Sequence, residues 1–284
     1  MNKKKNNKKS VQKIPTCIFC DGKPTTKEHL WSQWMRELVF REKTNKHLNT
    51  SEILTNTGGV VVQQRPIYKL RTGSTTSIQI KKVCKPCNSG WMGDLEEFAI
   101  PILTPLITGE PIVLNIKTQQ TVAEWATLKT IVGEYISLYK KVITRSEEKL
   151  FYQQKRAPEN WLIWIGRSEQ KYDYAREHSG ENFSFNITTS LGAPVRPVTR
   201  RAQATILAVG HLILYIVKPP FRDFEFPGFN FDILGAYGSK FVKIHPQKTT
   251  AIHFDKLPLV AHEEYLHLTN NLRNFMINFS RMCR

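Results

Sequence analysis

The chain has 284 residues, of which 40% are hydrophobic and 23% are charged, and it contains five cysteines. This apolar content excludes a wholly disordered chain and the few cysteines exclude a disulfide scaffold, while the length predicts one large domain or two of about 100 to 200 residues. The net charge of +17 predicts attraction to polyanions, with nucleic acid as the first candidate and an anionic membrane surface as the second.

The first segment is a lysine-rich tail. Residues 1–13 hold six lysines and no aromatic residue, so we expect them to stay solvated and disordered, with at most a loose contact to phosphates. No apolar segment of about 7 to 15 residues follows this tail, which argues against a signal peptide. Because C-x-x-C pairs without an export signal favour metal binding over disulfides, we expect a reducing, cytoplasmic environment.

Two C-x-x-C pairs follow, Cys17/Cys20 and Cys84/Cys87. Thiolates two residues apart on a knuckle turn span adjacent corners of a tetrahedron, so the two pairs can close one four-thiolate zinc site. A site of this kind has no open position for a substrate. The sequence therefore predicts a structural Zn²⁺ ion that staples the two halves of this region together.

A Glu-His pair, Glu28-His29, comes shortly after the first cysteine pair. Apolar residues then recur at helical spacing through residue 39, and several of them are aromatic or bulky. This pattern predicts a helix whose apolar face lies in the core of the protein.

An insertion separates the two cysteine pairs. Residues 42–77 lose the helical period, and β-like runs at 59–63 and 66–70 predict a hairpin within this insertion. An extended segment at 77–83 leads into the second cysteine pair. A helix is then predicted from Asn88 through Phe98, with its apolar residues packed onto the zinc lobe.

The motifs C-I-F-C, E-H and C-K-P-C-N, in this order over residues 14–100, resemble the HNH endonucleases, the ββα-metal nucleases, in the version with a four-cysteine zinc. The resemblance implies an α+β fold with a zinc-stapled, treble-clef-like nuclease domain at residues 14–104. In this family the His of the acidic-His pair is the general base, which here would be His29. An imidazole suits that role because its unperturbed pKa of about 6.5 leaves it able to accept a proton near neutral pH.

The resemblance also implies one catalytic divalent cation. By position its ligands would be Glu28 and Asn88, whose oxygen atoms suit Mg²⁺ or Mn²⁺. Many family members have Asp in place of Glu28, and some carry a further ligand His where this chain has Met92.

Two other roles in the family pattern lack a clear residue. The middle Asn of the family motif has no counterpart here, and Gln79 is the nearest amide, so that role stays unassigned. Glu96 shares a helix face with Asn88 and could supply a carboxylate, although a solvated helix residue is the more common explanation for such a position.

Beyond residue 100 the sequence indicates fold more than chemistry. Three prolines and Gly109 predict a linker at 101–111, and residues 105–284 are expected to form an α+β accessory domain that selects the substrate. The predicted elements of this domain are an amphipathic helix at 122–139, strands at 161–165, 183–187 and 206–217, and a final helix at 261–282. The run at 206–217 is too short to span a membrane.

Together these patterns predict a metal-dependent endonuclease that hydrolyses phosphodiester bonds of double-stranded DNA, of the kind found in restriction and phage defence. Two alternatives stay open. One is a non-catalytic zinc-dependent module that binds nucleic acid, and the other is an RNA-cleaving toxin that uses the same site. No membrane partner is expected, and the oligomeric state is left open, with a dimer among the options.

Overall fold

The structure analysed is a computed structural model, and it describes most of the chain. The described residues are 15–39, 46–51, 54–57, 60–63, 67–72, 77–137, 141–185, 198–219, 234–247 and 250–269. The predicted basic tail at 1–13 and the second half of the predicted final helix lie outside these ranges. Within them, the protein is a mixture of helices and strands, as predicted.

The N-terminal region contains two paired strands followed by a helix. Strand β1 (Thr26–His29) pairs antiparallel with β6 (Gln79–Val83), so that His29 lies opposite Gln79. A short helix α1 (Lys85–Cys87) and a π-helical turn (Asn88–Met92) lead into helix α2 (Gly93–Thr108). The extended segment predicted at 77–83 and the helix predicted from Asn88 are confirmed.

The described part of the insertion between β1 and β6 contains four strands, which are β2 (Lys46–Ser51), β3 (Leu54–Thr57), β4 (Val60–Gln63) and β5 (Ile67–Thr72). β3 pairs with β4, and β2 pairs with β5. The predicted hairpin-bearing insertion is therefore confirmed. The two β-like runs of the sequence are strands, but each pairs with an earlier strand rather than with the other.

The prediction of an α-helix after His29 is wrong. The segment is a 3₁₀ helix of five residues, Gln33–Glu37, which follows an extended Ser32. Aromatic and β-branched residues are weak helix formers, and the short turn leaves Trp31 and Met35 free to pack inward. Trp31 and Met35 are 2% and 0% exposed, which confirms that this segment contributes to the core.

The linker predicted at 101–111 is also not what forms. Helix α2 continues to Thr108 with Pro101 and Pro105 inside it, and Gly109, with a φ of 84°, caps its C-terminus. A proline inside a helix removes one backbone hydrogen bond. The helix persists because its C-terminal half is packed into the core, where Leu103 and Leu106 are fully buried. The predicted domain boundary at 104/105 therefore lies within a helix.

Two helices follow α2. Strand β7 (Val113–Asn115) leads into α3 (Ile116–Glu134), whose N-terminus is capped by Asn115 through a 3.0 Å hydrogen bond from the Thr118 N–H. The helix predicted at 122–139 is confirmed, with an earlier start and an earlier end. Helix α4 (Arg145–Gln154) begins with a capping box formed by Thr144 and Glu147.

A long hairpin dominates the C-terminal half. β8 (Leu162–Phe185) and β9 (Val198–Lys218) pair antiparallel, so the strands predicted at 161–165 and 183–187 belong to one strand. Residues 202–218 of β9 are buried on both faces apart from His211. The smaller elements here are β10 (Phe241–His245), which pairs antiparallel with β8, β11 (Ala251–His253), which pairs with β7, β12 (Leu259–Val260), which pairs parallel with β8, and helix α5 (262–269).

One hydrophobic core joins the region of the two cysteine pairs to the rest of the described residues. It runs from Cys17 and Trp31 through Leu103 and Trp125 to Phe254, and so includes residues on both sides of the predicted boundary. Helix α2 contacts β9 closely, since a Cβ on Gly210 would lie 2.0 Å from the Ile107 carbonyl oxygen. Among the described helices, none is long and apolar enough to cross a membrane.

Candidate metal centre and the His29 site

The four predicted cysteines lie together. The Sγ atoms of Cys17, Cys20, Cys84 and Cys87 are all within 4.8 Å of one another, and three of the four residues are buried. A tetrahedral ion with Zn–S bonds of about 2.3 Å requires Sγ atoms about 3.8 Å apart. The cluster therefore fits a single metal ion bound by four thiolates, with no open position for a further ligand.

Backbone hydrogen bonds hold the two halves of this cluster in place. The Cys17 N–H donates to the Gly22 carbonyl and closes the first knuckle, while the Ile18 N–H donates to the Lys82 carbonyl at 2.9 Å and ties this knuckle to β6. The second pair follows β6 directly, with Cys84 preceding helix α1 and Cys87 ending it. Strand pairing between β1 and β6 thus brings together cysteines that are far apart in sequence.

Helix α4 holds the first knuckle from outside. Asp21, in the left-handed region with a φ of 62°, forms ion pairs with Lys149 and Arg145. Lys149 and Arg145 hold the pKa of the Asp21 carboxyl below its usual range. Arg145 also donates a hydrogen bond to the Cys17 carbonyl. The knuckle is therefore fixed to a helix that lies beyond the predicted domain boundary.

Aromatic residues pack beside the second knuckle. Trp91 meets Phe19 edge to face, with ring centroids 5.0 Å apart, and lies 5.7 Å from Phe151 of α4. Trp91 and Leu95 both pack against the main core, which confirms the prediction for these two residues.

His29 ends β1 and is partly exposed. Its Nε2 atom lies 2.5 Å from the side-chain amide of Gln79 and 3.1 Å from that of Gln33. Its Nδ1 atom has no hydrogen-bond partner among the described residues. Partial burial lowers the pKa of His29, against an opposing effect of Glu28, so the ring is mainly neutral near pH 7 and can accept a proton.

Glu28 points to the opposite face of the strand, since successive side chains of a strand alternate. It is 8% exposed, and its Oε1 atom lies 3.1 Å from Nζ of Lys129 on α3. The same ammonium lies 2.7 Å from Oε1 of Glu96 on α2. The Lys129 side chain is 1% exposed. A buried lysine therefore sits between two carboxylates, and we call these three residues the Lys129 triad.

Glu96 is not the solvated residue that the sequence favoured. Its Oε2 atom accepts hydrogen bonds from Ser32 at 2.6 Å and from the indole N–H of Trp34 at 3.0 Å. Its Oε1 atom accepts from the indole N–H of Trp125 at 3.2 Å. Burial alone would raise the pKa of Glu96, but Lys129, Ser32 and Trp34 outweigh it and lower this pKa.

Sequence reasoning missed Lys129 altogether, although a signal was present. Val122, Trp125 and Val132 define the apolar face of α3, and Lys129 occupies the same face at helical spacing. A lysine on a core-facing stripe requires buried partners of opposite charge. The identity of those partners depends on the fold, because Glu28 and Glu96 are distant in sequence.

No hydrogen bond among the described residues links Asn88 to Glu28, the other predicted ligand of the cation. The backbone N–H of Asn88 donates to the Cys84 carbonyl at 3.0 Å, and Asn88 occupies the junction between α1 and the π-helical turn. Its side chain makes no hydrogen bond to any described residue. Among the predicted site residues, the structure thus gathers the four cysteines, and it joins His29 to Gln79 and Glu28 to Lys129.

A divalent cation fits poorly at Glu28 as it stands. The carboxylate already has an ammonium at ion-pair distance, and it faces the interior while His29 faces the other side of β1. An ion bound there would lie against a like charge in a region of low dielectric constant. The predicted catalytic cation therefore finds no prepared site at this residue.

Comparison with known proteins does not add to this geometry. No family model, no curated protein and no solved structure matches the chain. What the fold and the site define is a mixed α+β protein with a four-cysteine cluster that can hold a metal ion.

Proposed function

We propose that this protein is an endonuclease of the ββα type, in which a zinc ion at the four cysteines is structural and His29 is the general base. The observation that carries the proposal is the position of His29 at the end of β1, in a β1–β6–α2 unit whose two strands are joined at the cysteine cluster. When bound, a zinc ion would cross-link the two knuckles and take no part in the chemical step.

The face of the β1–β6 strand pair that carries His29 suits an anionic polymer. Lys27 on β1 and Lys81 on β6 are exposed and lie two residues from His29 and Gln79, next to the irregularity in the strand pairing. Within strands β1 and β6, Glu28 is the one acidic residue, and it is buried against Lys129. Lysines beside the base would attract the phosphates of a nucleic acid and place the backbone near the imidazole.

The reaction proposed is hydrolysis of a phosphodiester bond. Because the side-chain amides of Gln79 and Gln33 present N–H donors to Nε2, this atom carries the lone pair of the neutral ring, and Nδ1 carries the hydrogen. A water molecule that takes the place of the Gln33 amide gives its proton to Nε2, its oxygen attacks the phosphorus atom, and the bond from phosphorus to the 3′ oxygen breaks. Solvent returns a proton to the departing oxygen. Gln79 would then fix the orientation of the His29 ring. This is the role of the middle Asn of the family motif, which the sequence left unassigned.

The substrate proposed is double-stranded DNA, cut in a restriction or phage-defence setting, and an RNA-cleaving toxin is the same chemistry on another substrate. The divalent cation implied by the family resemblance stays a prediction. The side-chain oxygen of Asn88 makes no hydrogen bond to a described residue and could bind such an ion, whereas Glu28 is already paired with Lys129. No step above passes through the ion.

A second candidate, a non-catalytic zinc-dependent nucleic-acid-binding module, is favoured by one specific observation. Glu28, the acidic member of the Glu-His pair, is engaged by Lys129. If Glu28 has a structural role, His29 can also be a surface residue of a binding hairpin. The two candidates share the basic face and differ in whether bound nucleic acid is cut.

The experiment that separates these functions uses zinc-loaded protein of verified metal content. Supercoiled plasmid and a single-stranded RNA are incubated with it in Mg²⁺, in Mn²⁺ and in EDTA. The proposal predicts nicked or linear plasmid. Cleavage of RNA alone would assign the toxin alternative, and salt-sensitive binding of plasmid without cleavage in any lane would assign the binding module.

A further inference from the structure

We propose that the ammonium of Lys129 takes the place of a divalent cation at Glu28, so that the Lys129 triad is a complete ionic site that excludes metal from this carboxylate. The inference stands on the triad itself and holds whether or not the protein cuts nucleic acid. In this proposal the role of Glu28 is to hold β1 against α3 through Lys129. The family resemblance implies a different role, that of a metal ligand.

The geometry of the triad is that of a filled cation site. Nζ of Lys129 lies 3.1 Å from Glu28 Oε1, 2.7 Å from Glu96 Oε1 and 3.4 Å from the His29 carbonyl oxygen. A lysine ammonium has three N–H donors, and three oxygens lie within its reach. The ligands come from β1 and α2, while the cation comes from α3.

The charge of the site is also accounted for without an ion. Two carboxylates and one ammonium leave one negative charge, and this charge is dispersed by neutral donors. Both oxygens of Glu96 accept hydrogen bonds, from Ser32 and Trp34 on one side and from Trp125 on the other. Hydrogen bonds to an ionised carboxylate stabilise its charged form.

Burial makes replacement of the ammonium unfavourable. The Lys129 side chain is 1% exposed and the Glu28 side chain is 11% exposed. A metal ion that bound Glu28 would have to displace Lys129, and the structure offers Lys129 no other acidic partner than Glu28 and Glu96 among the described residues. Loss of Glu28 would leave the buried ammonium with Glu96 as its one carboxylate among the described residues, which costs free energy. The lysine therefore holds the site against competition from Mg²⁺ or Mn²⁺.

Mn²⁺ binding, followed by electron paramagnetic resonance of the free ion, tests the proposal without reference to cleavage. The proteins are zinc-loaded wild type, Glu28→Gln, and Glu97→Gln as a control, since Glu97 is an exposed carboxylate on the same helix as Glu96. We expect the three to bind Mn²⁺ with affinities within about two-fold of one another. A loss of about ten-fold or more in Glu28→Gln, with Glu97→Gln unchanged, would overturn the proposal.

Removal of the lysine gives the converse test. Lys129→Met leaves two buried carboxylates without their cation, and we expect a Mn²⁺ affinity at least about ten-fold above that of wild type, lost again on adding Glu28→Gln. A folded Lys129→Met protein that gains no Mn²⁺ site would contradict the proposal. If this variant does not fold, the comparison of wild type with Glu28→Gln decides alone, because that substitution keeps the Lys129 to Glu96 pair.

Discussion

At the scale of single residues, Lys129 shows how a buried charge is retained in an apolar setting. Its helix is buried on almost all sides. An isolated lysine in such a setting would release its proton and become neutral. Two carboxylates raise the pKa of Lys129 against the effect of burial. The charged form is thus kept by its two partners, of which Glu96 is the nearer at 2.7 Å.

The first prediction follows from this dependence. The Glu96 carboxylate pairs with Lys129 and accepts hydrogen bonds from three neutral donors. Glu96→Ala removes all four interactions, so we expect the free energy of unfolding to fall by about 3 to 5 kcal/mol. Urea unfolding, monitored by tryptophan fluorescence, measures the change. The neighbouring variant Glu97→Ala should stay within about 0.5 kcal/mol of wild type. Equal losses in the two variants would show that the triad contributes nothing specific.

A second residue-scale feature is a buried polar chain on the β8–β9 hairpin. Nδ1 of His178 lies 2.7 Å from the Thr205 hydroxyl, and Nε2 lies 3.7 Å from Oε1 of Glu134. Burial, with a smaller effect of Arg176, lowers the pKa of His178 well below its ordinary value. The folded protein therefore contains a neutral His178 at pH values where the unfolded chain protonates it.

This difference predicts a pH dependence of stability. Because the unfolded state binds more protons below its own His pKa of about 6.5, stability is full above that value and falls as the pH falls. Between pH 7.5 and 5.5 His178 should cost about 1.4 kcal/mol. His178→Gln, compared with wild type by urea unfolding at both pH values, should remove that part of the dependence. An unchanged slope in the variant would mean that His178 is protonated in the fold.

At the scale of elements, sequence reasoning succeeded where the signal is local. The spacing of Cys17, Cys20, Cys84 and Cys87 predicts their convergence, because each pair already has knuckle geometry. The insertion and the extended segment before Cys84 are likewise readable from composition and alternation. These features need only a few adjacent residues to be recognised.

The failures at this scale have tertiary causes. Pro101 and Pro105 are local signals for a break, yet α2 continues through both because its buried face outweighs the lost hydrogen bonds. Conversely, the helical spacing after His29 reflects packing of Trp31 and Met35 and not a full α-helix. Glu96 appeared solvated because its four partners lie on two segments distant in sequence, the 3₁₀ segment after β1 and helix α3. In each case a contact distant in sequence decides the outcome.

The knuckles themselves give an element-scale prediction. With four buried or partly buried thiols in one cluster, metal removal takes away the direct link between the two knuckles and leaves backbone hydrogen bonds, the α4 ion pairs and packing of Phe19. We expect chelation to lower the free energy of unfolding by about 3 kcal/mol or more. Elemental analysis before and after treatment, followed by urea unfolding, tests this. Cys87→Ser should show the loss from the start and respond little to chelator, and a fully stable metal-free wild type would contradict the prediction.

At the scale of the whole molecule, one hydrophobic core contains residues of the cysteine-bearing region and of the rest of the described chain. Arg145 and Lys149 hold the first knuckle, and Lys129 holds β1, so residues of the predicted accessory region support the His29 site directly. Composition and charge could predict a basic α+β protein with a zinc lobe. They could not predict this dependence, because the helices α3 and α4 carry no motif that points to the site.

The central claim is that His29 is the base of a hydrolytic site, and cleavage of supercoiled plasmid tests it most directly. Zinc-loaded wild type is compared with His29→Ala and with His253→Ala, which removes an exposed histidine of β11, in buffers with Mg²⁺, Mn²⁺ and EDTA. We predict that His29→Ala lowers the cleavage rate by at least about 100-fold while retaining the folding transition and DNA affinity of wild type, and that His253→Ala cuts normally. Undiminished cleavage by a folded His29→Ala protein would contradict the account.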